Sequence, residues 1–281
     1  MAQIREIKKR IKSVESTKKV THAMELVSAA KMRKSQALAL AGRPYNQSLH
    51  EILSSVQTAS GQNRHKLLQT NEAQNELLII ITSDRGLAGG INLNIFREIL
   101  RNELKNTKYI TVGKKATDFA VKTKGDLIAS YMSEEVPFLA LARILTKTVI
   151  ESYINKEFSK ISLIYPHFDS TIKQTPRFIQ LLPIAPQVDQ NLKPKPSEFL
   201  FEPNPDSILE SILTHHVLIQ IYQVLIEAKA SEFSARMVAM KNATDAAEDL
   251  VSDLTLTYNQ ARQESITKEL LDIVTAQKAF Q

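Results

Sequence analysis

The 281-residue sequence contains no cysteine, which excludes disulfides, thiolate nucleophiles and sulfur-bound metals together. A reducing compartment is compatible with that composition. No uninterrupted apolar run reaches the ~18 residues of a bilayer-spanning helix. The opening residues 1–10 enter helical periodicity without an apolar leader, so no secretory signal is expected. Glycine and proline are missing from both ends: every glycine lies between Gly42 and Gly125, and every proline between Pro44 and Pro205. The two strongest helix breakers are thus confined to the middle of the chain.

What remains at the ends is helical. Residues 206–281 hold 76 positions without a breaker, enough for a continuous helix of roughly 110 Å. A stripe in alternating steps of three and four runs through Ile219, Tyr222, Ile226, Lys229, Phe233, Arg236, Met240, Ala243, Ala247, Leu250, Leu254, Thr257 and Ala261. That is the spacing of a coiled-coil seam. The N-terminal end repeats it at Ile4, Ile7, Ile11 and Val14. There the pattern is expected to lapse at Lys18 and Thr21, resume in another register at Met24 and Val27, and break or kink at Gly42-Arg43-Pro44.

Charge relates the two ends. Residues 1–40 carry ten lysines and arginines against Glu6, Glu15 and Glu25, a surplus of +7, whereas residues 206–281 carry six basic against eleven acidic side chains, a balance of −5. Opposite charge and matching apolar seams favour pairing the ends, and the intervening chain makes an antiparallel intramolecular coiled coil the natural arrangement.

The middle alternates strand-like runs at 77–82, 109–113, 126–132, 161–165 and 178–182 with helix-like runs near 92–104, 115–122 and 138–158. Such alternation predicts an α/β, Rossmann-like layer on a mainly parallel sheet. Six prolines from Pro183 to Pro205 form an extended connector. The expected organisation is an N-terminal coiled-coil helix over 1–59, a central α/β domain over 75–182, a proline-rich connector over 183–205 and a C-terminal coiled-coil helix over 206–281.

No residue pattern supplies chemistry. The segment Ser83-Asp84-Arg85-Gly86-Leu87-Ala88-Gly89-Gly90 follows the first strand, where a phosphate loop would stand, yet no Gly-Lys-Ser/Thr follows and the glycine spacing is not a dinucleotide fingerprint. A tight strand-to-helix turn with an Asp84/Arg85 pair is expected instead. The adjacent His215 and His216 splay about 100° apart on a helix, which does not suit a shared metal. His22, His50, His65 and His167 are scattered, without a carboxylate arrangement nearby in sequence, and no serine occupies a nucleophile elbow. No catalytic residue, cofactor site or metal site is expected.

The basic cluster Lys8, Lys9, Arg10, Lys12, Lys18, Lys19, Lys31, Arg33 and Lys34 has few interleaved aromatics, and an acidic helix in the same chain can face it. A solvated or partner-facing surface is expected rather than a nucleic-acid site. From the residues alone, a nucleotide-using enzyme with a catalytic α/β middle and a nucleic-acid module with a basic arm stay open. Nucleotide titration and salt-dependent DNA or RNA affinity discriminate them.

Three blocks resemble the gamma subunits of rotary ATP synthases, across nearly the whole chain. Near the start, Ile11-Lys12-Ser13-Val14 leads to Ala23-Met24-Glu25-Leu26-Val27 and Lys31-Met32-Arg33-Lys34-Ser35-Gln36, with Arg43-Pro44-Tyr45 closing the helix. In the middle, the Ser83 turn is followed by Asn92-Leu93-Asn94. Near the end come Ala235-Arg236-Met237-Val238-Ala239-Met240-Lys241-Asn242-Ala243-Thr244-Asp245 and Tyr258-Asn259-Gln260-Ala261-Arg262-Gln263-Glu264-Ser265-Ile266-Thr267.

The resemblance implies a non-catalytic rotor shaft. The paired ends would stand inside a ring of alpha and beta subunits that holds the nucleotide sites, with the middle domain against an epsilon subunit and a membrane c-ring. It implies a peripheral protein on the cytoplasmic face of a bacterial plasma membrane. By position, Met24, Arg236, Arg262, Gln263 and Thr267 correspond to subunit-contact and coupling residues, and Phe199, Phe201 and Glu202 to the rotor foot. The family's C-terminal signature continues from Ile-Thr-x-Glu through a Gly-Ala step, whereas here Ile266-Thr267-Lys268-Glu269-Leu270-Leu271-Asp272 runs on to Thr275-Ala276-Gln277. Phe199 and Phe201 stand where some relatives have tyrosines, and the cysteine-bearing insertion of chloroplast relatives is missing.

Overall fold

A computed structural model describes residues 2–59, 65–102, 106–133, 136–184, 202 and 205–279. Two very long helices begin and end the chain: α1 (Ala2–Ala59) and α5 (Pro205–Ala279). Between them lie β1 (Glu76–Ile81), α2 (Ile91–Arg101), β2 (Thr107–Val112), α3 (Lys114–Lys122), β3 (Asp126–Tyr131), α4 (Phe138–Ile154), β4 (Lys160–Phe168) and β5 (Gln174–Leu182). Proline is well placed at the first position of α5, where its missing N–H would have had no partner in any case. The chain divides into two compact units, one of Met1–Ser28 with Arg236–Gln281 and one of Ala29–Ala235.

The first unit is an antiparallel helix pair. Lys18 Nζ meets Glu248 Oε1 at 2.9 Å, and Thr244 Oγ1 donates to Thr21 Oγ1 at 2.8 Å, so advancing three residues along α1 moves back four along α5. On α1 the half-buried positions up to Ser28 are Ile4, Ile7, Ile11, Val14, Lys18, Thr21, Met24 and Glu25, and Ser28 is buried. The heptad therefore does not lapse or change register at Lys18. Val27, expected on the seam, is 55% exposed. Two polar solutions keep the register: Lys18 lays its alkyl stem along the seam and carries its amine out to Glu248, and Thr21 exchanges an apolar contact for a hydroxyl pair.

On α5 the corresponding positions are Met240, Thr244, Ala247, Val251, Leu254, Tyr258, Ala261 and Ser265. Of the expected stripe only Leu250 and Thr257 are exposed. Met240, Ala247, Leu254 and Ala261 face the partner helix, but the alternate positions fall one residue later, on Val251 and Tyr258 in place of Leu250 and Thr257. Leu250 is 43% exposed and Thr257 is exposed with its hydroxyl on Asp253 O. Steps of three-then-four and four-then-three share one set of positions, so spacing cannot choose between them, whereas burial of the larger Val251 and Tyr258 side chains does.

The second unit is a layered α/β body. Its sheet has the order β3-β2-β1-β4-β5, with β1 to β4 parallel and β5 antiparallel to β4. Alternation along β1 sorts its residues by face. Leu78 and Ile80 join Ile95, Ile99 and Ala116 of α2 and α3 on one side. Leu77, Ile79 and Ile81 join Leu141, Leu145 and Val149 of α4, Leu53 and Val56 of α1, and Leu213, Val217 and Ile221 of α5 on the other.

This second core explains why α5 contains a window apolar enough, by length and composition, to cross a membrane: over 209–228 its apolar side chains are buried against protein. Pro44 does not break or close α1, which continues to Ala59. The lost hydrogen bond, worth about 3 kcal/mol in an interior turn, is offset by Leu49, Leu53 and Val56, all buried beyond it. A Cβ at Gly42 would come 2.9 Å from Gln223 Oε1, the end of a flexible side chain that can shift aside.

The helix pair yields a direct check. In this cysteine-free chain, Thr21→Cys with Thr244→Cys forms a crosslink within one polypeptide on oxidation. It is seen as a mobility shift at unchanged monomer mass, and exclusively intermolecular products would contradict the pairing.

Candidate functional site

The carboxyl ends of parallel strands are where doubly wound folds bind nucleotides, and here that position is closed by the chain's own groups. Asp84 Oδ1 accepts from the Lys114 N–H at 3.2 Å, at the start of α3, and from the Ser133 N–H at 3.3 Å. Its Oδ2 accepts from the Ser133 hydroxyl at 2.6 Å. Thr82 Oγ1 accepts from the Ala116 N–H at 2.8 Å. Two amides in the first turn of α3 are thus directed at a carboxylate and a hydroxyl from the end of β1 and the loop after it. Asn92 locks the turn from the other side, accepting from the Ser83 N–H and donating to Ser83 Oγ, while Ser83 donates to Arg85 O. Gly113, at φ 97°, lets β2 pass so close to β1 that a Cβ would lie 2.3 Å from Thr82 O.

The residues picked out for coupling fall into distinct places. Arg262, Gln263 and Thr267 are exposed on α5, with the Thr267 hydroxyl on Gln263 O at 2.9 Å. Gln263 and Thr267 share a face with Gln260, Glu264, Lys268 and Leu271 along a shallow groove. The register set by Lys18 and Thr21 places Ile4 level with Ala261. On that register Arg262 and Gln263 stand level with the first residues of α1, and Ile266, Leu270, Leu271, Ile273 and Val274 are all exposed.

Arg236 lies 26 residues earlier, roughly 39 Å along the helix, and is only 7% exposed. Met24 is half-buried, with its carbonyl accepting from the Ser28 hydroxyl at 2.7 Å. These five residues do not form one site. Glu202 is exposed, and Phe199 and Phe201 lie outside the described residues, as does most of the proline-rich connector.

Sequence reasoning missed a polar cluster between β4 and α5. Glu227 Oε2 accepts from the Tyr165 hydroxyl at 3.1 Å and lies 3.2 Å from His167 Nδ1, and Glu227 Oε1 accepts from Gln223 Nε2 at 3.1 Å. His167 Nε2 also lies 3.8 Å from Asp169 Oδ1, and His22 Nδ1 lies 3.3 Å from Glu25 Oε2. Two histidines expected to lack nearby carboxylates therefore have them. For His22 the i, i+3 spacing on a helix was the available signal; for His167 and Glu227, 60 residues apart, there was none. A buried pair, Lys229 Nζ with Glu232 Oε2 at 2.9 Å, adds to the charged content of the same helix.

With this geometry in place, the comparisons are decisive. A family model described as ATP synthase matches residues 3–280. This chain belongs to the ATP synthase gamma-chain family. It is 41% identical to the ATP synthase gamma chain of Methylacidiphilum infernorum and 38% identical to that of Moorella thermoacetica, in both cases over 100% of each chain. Among solved structures it is similar to the central stalk and c-ring assembly of Tetrahymena thermophila mitochondrial ATP synthase, with TM-score 0.61 and 27% identity, covering 80% of this chain and 99% of that one. It shares the fold of a chain in the Euglena gracilis mitochondrial ATP synthase structure, with TM-score 0.73 at 20% identity, over 99% of this chain and 95% of that one. The family places the gamma chain in a membrane-associated ATP synthase complex.

The closed strand-end turn gives a stability prediction. Asp84→Ala leaves two backbone donors and the Ser133 hydroxyl without their acceptor and lowers unfolding free energy by about 1–3 kcal/mol, measurable by urea denaturation of the purified chain. An unchanged midpoint would show that Asp84 does not brace the three loops.

Proposed function

We infer that this chain is the central shaft of an ATP synthase, coupling ion flow through a membrane c-ring to conformational changes at nucleotide sites held by surrounding alpha and beta subunits. The observation that carries it is the full-length family match, joined to a cysteine-free chain whose α/β strand ends are filled by Asp84 and Thr82. The shaft itself performs no bond chemistry. Its second unit meets an epsilon subunit and the c-ring, with Phe199, Phe201 and Glu202 at the foot, on the cytoplasmic face of a bacterial plasma membrane.

Coupling works by differential contact. Each orientation presents a different face to each catalytic subunit and biases the conformation, and so the nucleotide affinity, that the subunit adopts. Met24, Arg236, Arg262, Gln263 and Thr267 are the residues assigned to that contact. Exposure of Arg262, Gln263 and Thr267 supports the assignment for those three. For Arg236, buried in the chain itself, the assignment is to holding its segment of α5 in place.

Arg262→Ala with Gln263→Ala is expected to lower ATP synthesis and hydrolysis in the reconstituted complex about tenfold. That is the effect of losing one charge-assisted hydrogen bond of about 1.5–3 kcal/mol from a conformational equilibrium. Normal turnover in a fully assembled complex would remove both residues from the coupling surface. The isolated chain is expected to show no ATP binding by calorimetry; stoichiometric micromolar binding, lost on changing Gly89 or Gly90, would favour an enzyme.

A further inference from the structure

The β4–β5 hairpin outreaches its sheet. β1 pairs with β4 only from Lys160 to Ile164, so the pairs Tyr165–Arg177, Pro166–Pro176, His167–Thr175 and Phe168–Gln174 continue as a two-stranded ribbon. A ribbon without further strands is marginal by itself and needs something to lean on. It leans on α5. Near its base, Tyr165 and His167 reach Glu227; at its turn, the Ser234 hydroxyl donates to Thr171 O at 2.7 Å.

Glu227 and Ser234 are seven residues apart, two turns on one stripe of the helix and about 10 Å along its axis. On the hairpin, His167 lies near the end of β4 and Thr171 in the turn beyond Phe168. Hairpin and helix are thus joined at two points. The turn is stiffened internally, with Thr175 Oγ1 on Asp169 Oδ2, the Lys173 N–H on Ser170 Oγ, and Gln174 Nε2 on Ser170 O and Thr171 O. Gln223, which donates to Glu227, also donates to Ala39 O of α1, so one carboxylate links ribbon, α5 and α1.

Apolar packing seats a helix in the grooves of its neighbours but is itself non-directional. Hydrogen bonds are directional and add a constraint on the angle at which the helix is held. We propose that the β4–β5 ribbon sets the rotational position of α5 on the α/β layer, with Glu227 and Ser234 as the positioning residues through which torque passes between sheet and shaft. Burial pushes the Tyr165 phenol well above its ordinary range, and the neighbouring Glu227 pushes it further, so the phenol stays a donor to the carboxylate.

This rests on the chain acting as the shaft, and the test separates the two. In the reconstituted complex, Glu227→Ala with Ser234→Ala is expected to leave unloaded ATP hydrolysis within about twofold of the parent. Ion pumping against an opposing gradient is expected to fall about threefold or more, as torque is lost in a softer joint. Pumping that keeps pace with hydrolysis as in the parent would overturn the ribbon's role. Complex lacking the chain is the control: if it fails to pump while the double variant pumps normally, the shaft role stands and the ribbon's role falls. Should the double variant not assemble, Thr171→Cys with Ser234→Cys decides. Ribbon and helix turn as one body, so turnover survives oxidation to the disulfide. Turnover lost on oxidation and restored by reductant would show that they must move apart.

Discussion

Between Val224 and Ala235, α5 has protein on nearly every side, and a helix enclosed in this way must solve two problems at once. Its neighbours have to approach closely, which Ala228, Ala230, Ser231, Ser234 and Ala235 allow by being small. Its polar groups have to find partners without water, which Glu227 does with Tyr165 and Gln223, Lys229 with Glu232, and Ser234 with Thr171. Buried ion pairs gain little over apolar packing in stability, but removing one partner is costly, about 3–5 kcal/mol. Such a segment therefore has one arrangement in which it fits. From Arg236 onward the demand relaxes to a single stripe, and the rest of the surface is free to vary.

The absence of breakers made α5 legible from composition, and the alternation of runs made the α/β layer legible, including each strand of the sheet. The seam was legible only in part. Steps of three and four identified Leu254 and Ala261, but the choice between Leu250 and Val251, or between Thr257 and Tyr258, rests on which side chain the partner helix covers. Lys18 and Thr21 looked like a lapse because the pattern was sought in apolar residues, whereas the register is carried there by an alkyl stem and a hydroxyl pair. Gly42-Arg43-Pro44 carries strong local stop signals, overridden by burial of Leu49, Leu53 and Val56. The Glu227 cluster was not legible at all, since Tyr165 lies 62 residues away and no spacing rule links a strand to a helix at that distance.

The strand-end turn ties together loops that stand around a ligand in doubly wound folds. A phosphate site needs free amides at a helix start and a loop that stands back from them. Here Asp84 crosses from the loop after β1 to the start of α3 and on to Ser133, after β3, so three connections are tied through one carboxylate. The same geometry that closes the site makes this end of the sheet rigid. Fold likeness alone does not fix an activity.

A shaft that works by presenting different faces must be asymmetric around its axis. The paired arms meet that requirement through charge as much as shape. The N-terminal stretch carries a surplus of +7 over residues 1–40, and the C-terminal stretch a balance of −5 over 206–281. Within the helix pair itself the balance is smaller but keeps its signs: residues 1–28 carry seven basic against three acidic side chains, +4, and residues 236–281 five against seven, −2. Salt screens exposed charges beyond about 8–10 Å, so a surrounding subunit senses only the flank that directly faces it, and half a turn reverses the sign it meets. Few of the arms' charges are consumed by pairing across the seam, where Lys18–Glu248 is an exposed pair of the kind that contributes little to stability. Most of the charge is left facing outward, where it can discriminate between one orientation and the next.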